Sequence, residues 1–421
     1  MSVYNFLEDF SEISFHMPGH KGKIPFNVKD ITEIEGSDNF HKPSSVILEA
    51  EKKMAKALNK NYAFFLTNGA TSGIMASILS MSKENETVLI DRNCHISVIN
   101  SLVLSGAIPK YVYPTINNDF NIPNPISEKE ISYNNEKLAV ITSPTYYGDI
   151  SNTEAIKRKI KNAILLQDEA HGAHFCFSKK LKTKSCSDLS VLGFHKTMPT
   201  LNQGAVLCVN NKNIDEKAIK KYINMLTTTS PSYPIMSSLD YSRMVGEKIY
   251  NNNAFEDEIS SLKNEIISKT NLKIHKNHDF YKILINFSDV GINAYEVNKI
   301  LIEKHKIYAE GVFADNILFM LSPYNTIKQL EALKNAILNL PFSKGNKNFI
   351  YNKIPLLETV LSPKEAFNAK GEIIETKNAV GRISKENIIT FPPCIPIVAI
   401  GEKITNEAIN MIQKQYIEVV H

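Results

Sequence analysis

The densest group of reactive side chains in the sequence is Asp168-Glu169-Ala170-His171-Gly172-Ala173-His174, directly after the apolar run at 163–167. In an open parallel sheet, ligands gather at the carboxyl ends of the strands, so an acid placed there points into the crevice and Asp168 is the first candidate. The D-x-x-H-x-x-H spacing also suits a metal, because one carboxylate and two imidazoles can hold zinc or iron. A third reading makes His171 and His174 structural, capping a loop and hydrogen-bonding backbone. Further on, Lys196 stands in the weakly charged segment Gly193-Phe194-His195-Lys196-Thr197-Met198-Pro199, again after an apolar run. An isolated lysine is ordinarily a solvated surface charge. One held away from water loses its proton more easily and becomes a nucleophile for carbonyl compounds. Upstream, Thr67-Asn68-Gly69-Ala70-Thr71-Ser72-Gly73 joins a predicted strand to a predicted helix. The free backbone N–H groups of such a helix start, with its dipole, suit a phosphate. No Walker loop is present: Gly19-His20-Lys21-Gly22-Lys23 has the wrong spacing and runs into Ile24, and G-x-G-x-x-G is absent.

These groups need a frame, and the hydrophobic pattern supplies an α/β one. Short apolar runs predict strands at Tyr62–Leu66, Thr87–Asp91, Lys110–Tyr113, Leu138–Thr142, Ala163–Gln167, Leu189–Leu192 and Ala205–Val209, with helices at Gly69–Ser82, His95–Gly106 and Thr153–Lys161 between them. Alternating strands and helices imply a mainly parallel sheet. After Asn210, helices are predicted at Asp215–Leu226, Pro234–Asn251 and Phe255–Lys269, broken by Thr-Thr-Thr-Ser-Pro-Ser at 227–232. Leu272–His275, Phe280–Phe287, Ala294–His305, Ile317–Ser322 and Ile327–Leu340 then give a strand, strand, helix, strand, helix order, the pattern of a small α+β domain. The predicted organisation is an N-terminal arm (1–40), a large domain (41–230), a small domain with linking helices (231–345) and a tail (346–421) ending in a helix from Asn406 to Ile417.

Composition excludes several classes. The 421 residues carry 48 Lys+Arg and 44 Asp+Glu, a formal charge of +4, and 43% are hydrophobic. Neither a disordered chain nor a small disulfide-stapled scaffold has this balance. The lysines are spread along the chain with no basic stripe interleaved with aromatics, so no nucleic-acid partner is expected. Five scattered cysteines without a C-x-x-C pair suggest a reducing, cytoplasmic setting, and the acidic N-terminal residues do not resemble a signal peptide. The uncharged stretch Asn61–Ser82 is interrupted by Asn, Thr, Ser and Gly, and reads as a buried strand and helix, so no membrane partner is expected.

A strand-end acid, a lysine shielded from water and a phosphate cradle on one sheet are the parts that pyridoxal 5'-phosphate requires. With these motifs in view, the sequence resembles the ornithine/lysine/arginine decarboxylase family of fold-type-I pyridoxal-phosphate enzymes, in its short form without an N-terminal receiver-like domain. The likeness runs through FHMPGHKGK (15–23), DITEIEGSDNFHKP (30–43), TNGATSG (67–73), DRNCHIS (91–97), TSPTYYGDI (142–150), DEAHGAHF (168–175), HKTMPTLNQGAVL (195–207) and TSPSYPIMSSLD (229–240). It extends more weakly to AVGRISKENIITFPPCIPIVAIGE (379–402).

The resemblance implies an aspartate-aminotransferase-like large domain with a seven-stranded, mainly parallel sheet. It implies that Lys196 forms the Schiff base with the cofactor and that Asp168 pairs with the pyridinium nitrogen. His95 stacks on one ring face, Ala170 packs on the other, and Ala70 and Thr71 hold the phosphate with help from His195. His171 lies near the substrate and is, with Lys196, a candidate general acid. Ser230 reaches the phosphate of a neighbouring subunit in a homodimer or higher homo-oligomer, and Glu386 with the Pro392-Pro393 turn shapes the substrate entrance. No metal is implied. The implied reaction is decarboxylation of arginine, lysine or ornithine, with arginine or lysine favoured. Another fold-type-I reaction, or a cofactor-retaining non-catalytic homologue, is the alternative. Three departures stand out: Gly193-Phe194 replaces Ser-Thr before the histidine-lysine pair, Ile96 replaces the lysine after His95, and Cys394 replaces a turn glycine. Cysteine does not easily adopt positive φ, so the turn at 394 is expected to be redrawn.

Overall fold

In the computed structural model, residues 13–23, 29–313, 315–343, 355–390 and 394–421 are described. All seven predicted strands of the large domain form: β1 (Tyr62–Leu66), β2 (Thr87–Asp91), β3 (Ile108–Val112), β4 (Leu138–Thr142), β5 (Ile164–Glu169), β6 (Leu189–Leu192) and β7 (Ala205–Val209). They make one sheet in the order β1-β7-β6-β5-β4-β2-β3. Only β7 runs antiparallel to its neighbours. Helices cover both faces, which is why a strand such as β7, Ala-Val-Leu-Cys-Val, is buried at every position instead of alternating.

The first of the described helices, α1 (Val46–Leu58), is not among those predicted. It buries Ile47, Glu51, Met54, Ala55 and Leu58, a single face at helical spacing. Next, α2 (Gly69–Met81) is built of uncharged, mostly small or apolar residues and packs against α3 (Ile96–Ser105). Gly73 lets it sit close to the sheet, since an added Cβ would lie 2.6 Å from Leu66 Cδ1 and 2.9 Å from Val191 Cγ1. This close approach brings the start of α2 over the carboxyl ends of the strands. The short α4 (Thr153–Ile160) has an amphipathic face and an Asn152 cap, and α5 (Glu216–Met225) packs on α2. After the Thr/Ser/Pro break, α6 (Tyr233–Ile249) packs on α1.

The small domain is built from α7 (Asn253–Lys269), β8 (Lys273–Ile274), β9 (Lys282–Asn286), α8 (Ala294–His305), β10 (Gly311–Phe313), β11 (Asn316–Met320) and α9 (Ile327–Leu338). Its antiparallel sheet has the order β8-β9-β11-β10. The predicted element order holds, with β10 added as a short hairpin arm. The segment Ile13–Phe15 pairs in parallel with Ile307–Ala309 and ties the N-terminal arm to this domain.

The tail holds α10 (Pro363–Asn368), β12 (Gly371–Glu375), β13 (Ile388–Thr390), β14 (Ile395–Val398) and β15 (Tyr416–Val420). The expected helix from Asn406 to Ile417 is corrected here: helix covers only Asn406–Ile409, and β15 pairs antiparallel with β12. Ile417 and Val419 are buried on one side of β15, a two-residue period that its β-branched residues suit and that pairing with β12 selects. Arg92 and Glu402, both fully buried, join this segment to the end of β2 through a 2.9 Å ion pair. Among the described residues no helix is long and apolar enough to cross a membrane, and Asn61–Ser82 divides into β1 and α2 as expected.

Candidate active site

The carboxyl ends of the parallel strands converge on a cavity of about 750 Å³. Its wall includes Ala70 and Thr71 from the start of α2, Asn93 and His95 after β2, Thr142 and Tyr146 at and after β4, Asp168, Ala170 and His171 from β5 and its turn, and His195 and Lys196 after β6. These are the places where a parallel sheet presents ligand-binding groups. Eight of the ten predicted site residues therefore meet in one cavity: Ala70, Thr71, His95, Asp168, Ala170, His171, His195 and Lys196.

Lys196 Nζ lies 2.9 Å from His171 Nε2. Burial lowers the lysine below its ordinary range, opposed chiefly by the charge of Asp168. Burial, reinforced by Lys196, holds His171 well below the ordinary histidine value, so an uncharged imidazole faces the amine. Asp168 Oδ1 accepts the N–H of Ala170 at 3.0 Å, and burial raises its carboxyl while Lys196 pulls the other way. His95 caps α3: its Nδ1 accepts the Ser97 N–H at 3.1 Å, which places the ring proton on Nε2. Burial brings His95 down to about 4, leaving an uncharged aromatic ring in the wall. His195 Nδ1 donates to the Gly204 carbonyl at 3.0 Å, and burial lowers this ring to about 4 as well.

The start of α2 leaves N–H groups free in its first turn, and Asn68 makes no capping bond to them. Gly69, at φ 74°, turns the chain into the helix and donates to the Gln203 carbonyl at 2.8 Å. Gln203 and Asn202 also line the cavity. The Gly193 departure has a steric cause, because a Cβ there would come 2.6 Å from the Ala170 carbonyl oxygen. Phe194 is fully buried and packs edge-on against Phe177, away from the cavity wall.

Two readings are corrected. The D-x-x-H-x-x-H residues diverge: His174 Nε2 pairs with Asp279 at 3.1 Å while His171 turns to Lys196, and no group of three potential ligands gathers among the described residues. The turn at Cys394 is not redrawn; the cysteine itself takes φ 63°, lines the cavity, and gives its carbonyl to the Ile96 N–H at 3.1 Å. Such a conformation costs a non-glycine residue about 1–2 kcal/mol. Ser230 and Glu386 do not line the cavity of their own chain, and the role expected of Ser230 is at a neighbouring subunit's site. Ser230 is exposed, its N–H on Thr228 Oγ1, and Glu386 pairs with Lys414 at 2.6 Å. Pro392-Pro393 lies outside the described residues.

Residues 4–283 match the Orn/Lys/Arg decarboxylase major domain, and residues 346–421 match the C-terminal domain of the same name. The chain belongs to the Orn/Lys/Arg decarboxylase family. It is 32% identical to YaaO of Bacillus subtilis (strain 168), an uncharacterized protein, over 95% of this chain and 90% of that one. It is 27% identical to arginine decarboxylase of the same organism, over 96% and 90%. The solved lysine decarboxylase LdcF of Francisella novicida superposes with a TM-score of 0.77 at 20% identity, covering 91% of this chain and 73% of that one. The fold is that of the fold-type-I enzymes.

Two residues of this cavity were not singled out from the sequence. Glu310, in the hairpin between Ile307–Ala309 and β10, enters the cavity wall from the small domain; its Oε1 accepts the Tyr146 hydroxyl at 3.0 Å and its Oε2 the Met17 N–H at 2.9 Å. Tyr146 packs its ring edge-on against His171, with centroids 5.3 Å apart. Tyr146 stood inside a quoted motif, whereas Glu310 had no sequence neighbour that marked it.

Proposed function

We propose that this family member decarboxylates a basic amino acid, arginine or lysine foremost, with pyridoxal 5'-phosphate as its cofactor. The observation that carries the reading is Lys196, in contact with His171 in the same cavity as Asp168, its pKa lowered by burial. The residues present fit the cofactor. Buried polar atoms without partners remain at the cavity in Asn93 (Oδ1), Thr142 (Oγ1) and His171 (Nδ1), and the start of α2 offers N–H groups to an anion.

When bound, the cofactor supplies an electron sink for the bond that breaks at the substrate α-carbon. The Ala70 and Thr71 region with His195 would hold its phosphate, Asp168 would supply the negative charge for its ring nitrogen, and His95 and Ala170 would lie against its ring. Lys196 supplies the amine that anchors it. His171, donor or acceptor to Lys196 across 2.9 Å, moves a proton between that amine and the α-carbon. Homodimer assembly, with Ser230 or Glu386 serving the neighbouring site, belongs to the same proposal.

Glu310 supports a basic substrate. Among the described residues it is, apart from Asp168, the other carboxylate in the cavity wall, and two hydrogen bonds leave part of its acceptor capacity open. Its place is to take the distal cation. Glu310→Gln is expected to raise KM for arginine and lysine about 10- to 100-fold, the loss of a charged hydrogen bond of about 1.5–3 kcal/mol. Steady-state kinetics check it; an unchanged KM removes Glu310 from substrate binding. His171→Asn should lower kcat by about 10²–10⁴-fold while cofactor stays bound. Retained turnover in that variant would leave proton transfer to Lys196 alone.

The function is tested with a panel of arginine, lysine, ornithine and the neutral analogue citrulline, scoring carbon dioxide, amine and keto acid. Carbon dioxide with a matching amine from a cationic substrate supports the proposal. Keto acid without carbon dioxide would make the chain an aminotransferase instead.

A further inference from the structure

Lys282, on β9 of the small domain, is 1% exposed. A buried ammonium is tolerated only when it is paired or fully hydrogen-bonded. Here Nζ donates to two carbonyls of the large domain, Tyr146 at 2.9 Å and Thr145 at 3.2 Å, and lies 5.9 Å from the Tyr146 ring centroid. No carboxylate stands within ion-pair distance of it among the described residues. Burial pushes it down to about 8, with Asp279 the main opposing charge.

The same short stretch of small domain grips the loop elsewhere. Asn277 Nδ2 donates to the Tyr147 carbonyl at 2.7 Å, the Asp279 N–H to the Gly148 carbonyl at 3.0 Å, and His275 pairs with Asp149 at 2.8 Å. Every residue from Thr145 to Asp149 is thus bonded from 275–282. The loop carries Tyr146, which touches His171 through its ring and Glu310 through its hydroxyl.

We propose that Lys282 is a positioning residue for the reaction: its ammonium holds the Thr145-Tyr146 backbone, and through it the Tyr146 side chain that sets His171 against Lys196 and Glu310 toward the substrate. It acts through Tyr146 and touches no reacting atom. The inference rests on the roles given to His171 and Glu310 above.

The test uses the holoenzyme with Lys282→Met, which keeps the side-chain length and removes the donors. Turnover should fall about 10- to 100-fold, the scale of a misplaced catalytic group, with cofactor still bound. Hydrogen exchange should accelerate at 145–149 and stay unchanged in the central sheet. In a Tyr146→Ala background, Lys282→Met should cost no further kcat, because the group it positions is gone. An equal cost in both backgrounds, or wild-type kcat in a folded Lys282→Met holoenzyme, overturns the proposal. If Lys282→Met does not fold, Lys282→Gln, with an amide donor for one carbonyl, takes its place in the same cycle and is judged by the same outcomes. Should the wild-type chain release no carbon dioxide, the functional reading fails by itself, while the exchange at 145–149 still reports whether Lys282 holds the loop.

Discussion

Lys196→Ala is expected to release carbon dioxide from its best substrate about a thousandfold more slowly than the unaltered chain, a loss of about 4 kcal/mol of transition-state stabilisation. The reason is chemical. Alanine removes the amine whose pKa burial lowers and that His171 contacts at 2.9 Å. Among the described residues no other lysine lines the cavity, so none of them is placed to substitute. The variant should also lose the visible absorbance of bound cofactor. Its stability should stay close to that of the parent, because the side chain packs beside an open cavity and anchors no element. Parent-like carbon dioxide release by a folded Lys196→Ala protein would remove this lysine from the chemistry.

The largest effect on stability is expected at Glu402. Arg92 and Glu402 are both fully buried; Arg92 Nη2 meets Glu402 Oε2 at 2.9 Å, and the guanidinium also donates to the carbonyls of Pro396 at 2.6 Å and Ile397 at 3.0 Å. Glu402 Oε2 in turn accepts the Ala399 N–H at 2.7 Å. Glu402→Ala leaves the guanidinium charge buried without its counter-ion, at a cost of about 3–5 kcal/mol. Urea unfolding followed by circular dichroism measures it. Because Arg92 lies one residue before Asn93 and holds β14, the same change should loosen cofactor retention through Asn93 and the Cys394 turn. A midpoint unchanged within error would mean that water reaches Arg92 and that the pair contributes little.

The large domain was legible because its signals are local. A strand buried on both faces reads as an unbroken apolar run, and a chemistry-bearing residue at its carboxyl end stands out by position, as Asp168 and Lys196 did. All seven strands and the eight cavity residues followed from that rule and from the family likeness. Most of the exceptions share one cause, which is packing between distant segments. Glu310 enters the cavity because Ile307–Ala309 pairs with the arm strand Ile13–Phe15, and nothing near it in sequence announces that pairing. Lys282 looks like any lysine until Thr145 and Tyr146 lie over it. In the tail, Ile412 to Ile417 satisfies a helical period as well as an extended one, and pairing with β12 selects the strand. For α1 the signal was present: Ile47, Glu51, Met54, Ala55 and Leu58 recur at helical spacing, with a glutamate interrupting the apolar stripe.

The most direct measurement is borohydride reduction of the chain loaded with pyridoxal 5'-phosphate, followed by peptide mass mapping. The phosphopyridoxyl mass is expected on the peptide containing Lys196, in stoichiometric yield and lost in Lys196→Ala. Its appearance on another lysine, or on none, would contradict the assignment of Lys196 and the decarboxylase chemistry built on it.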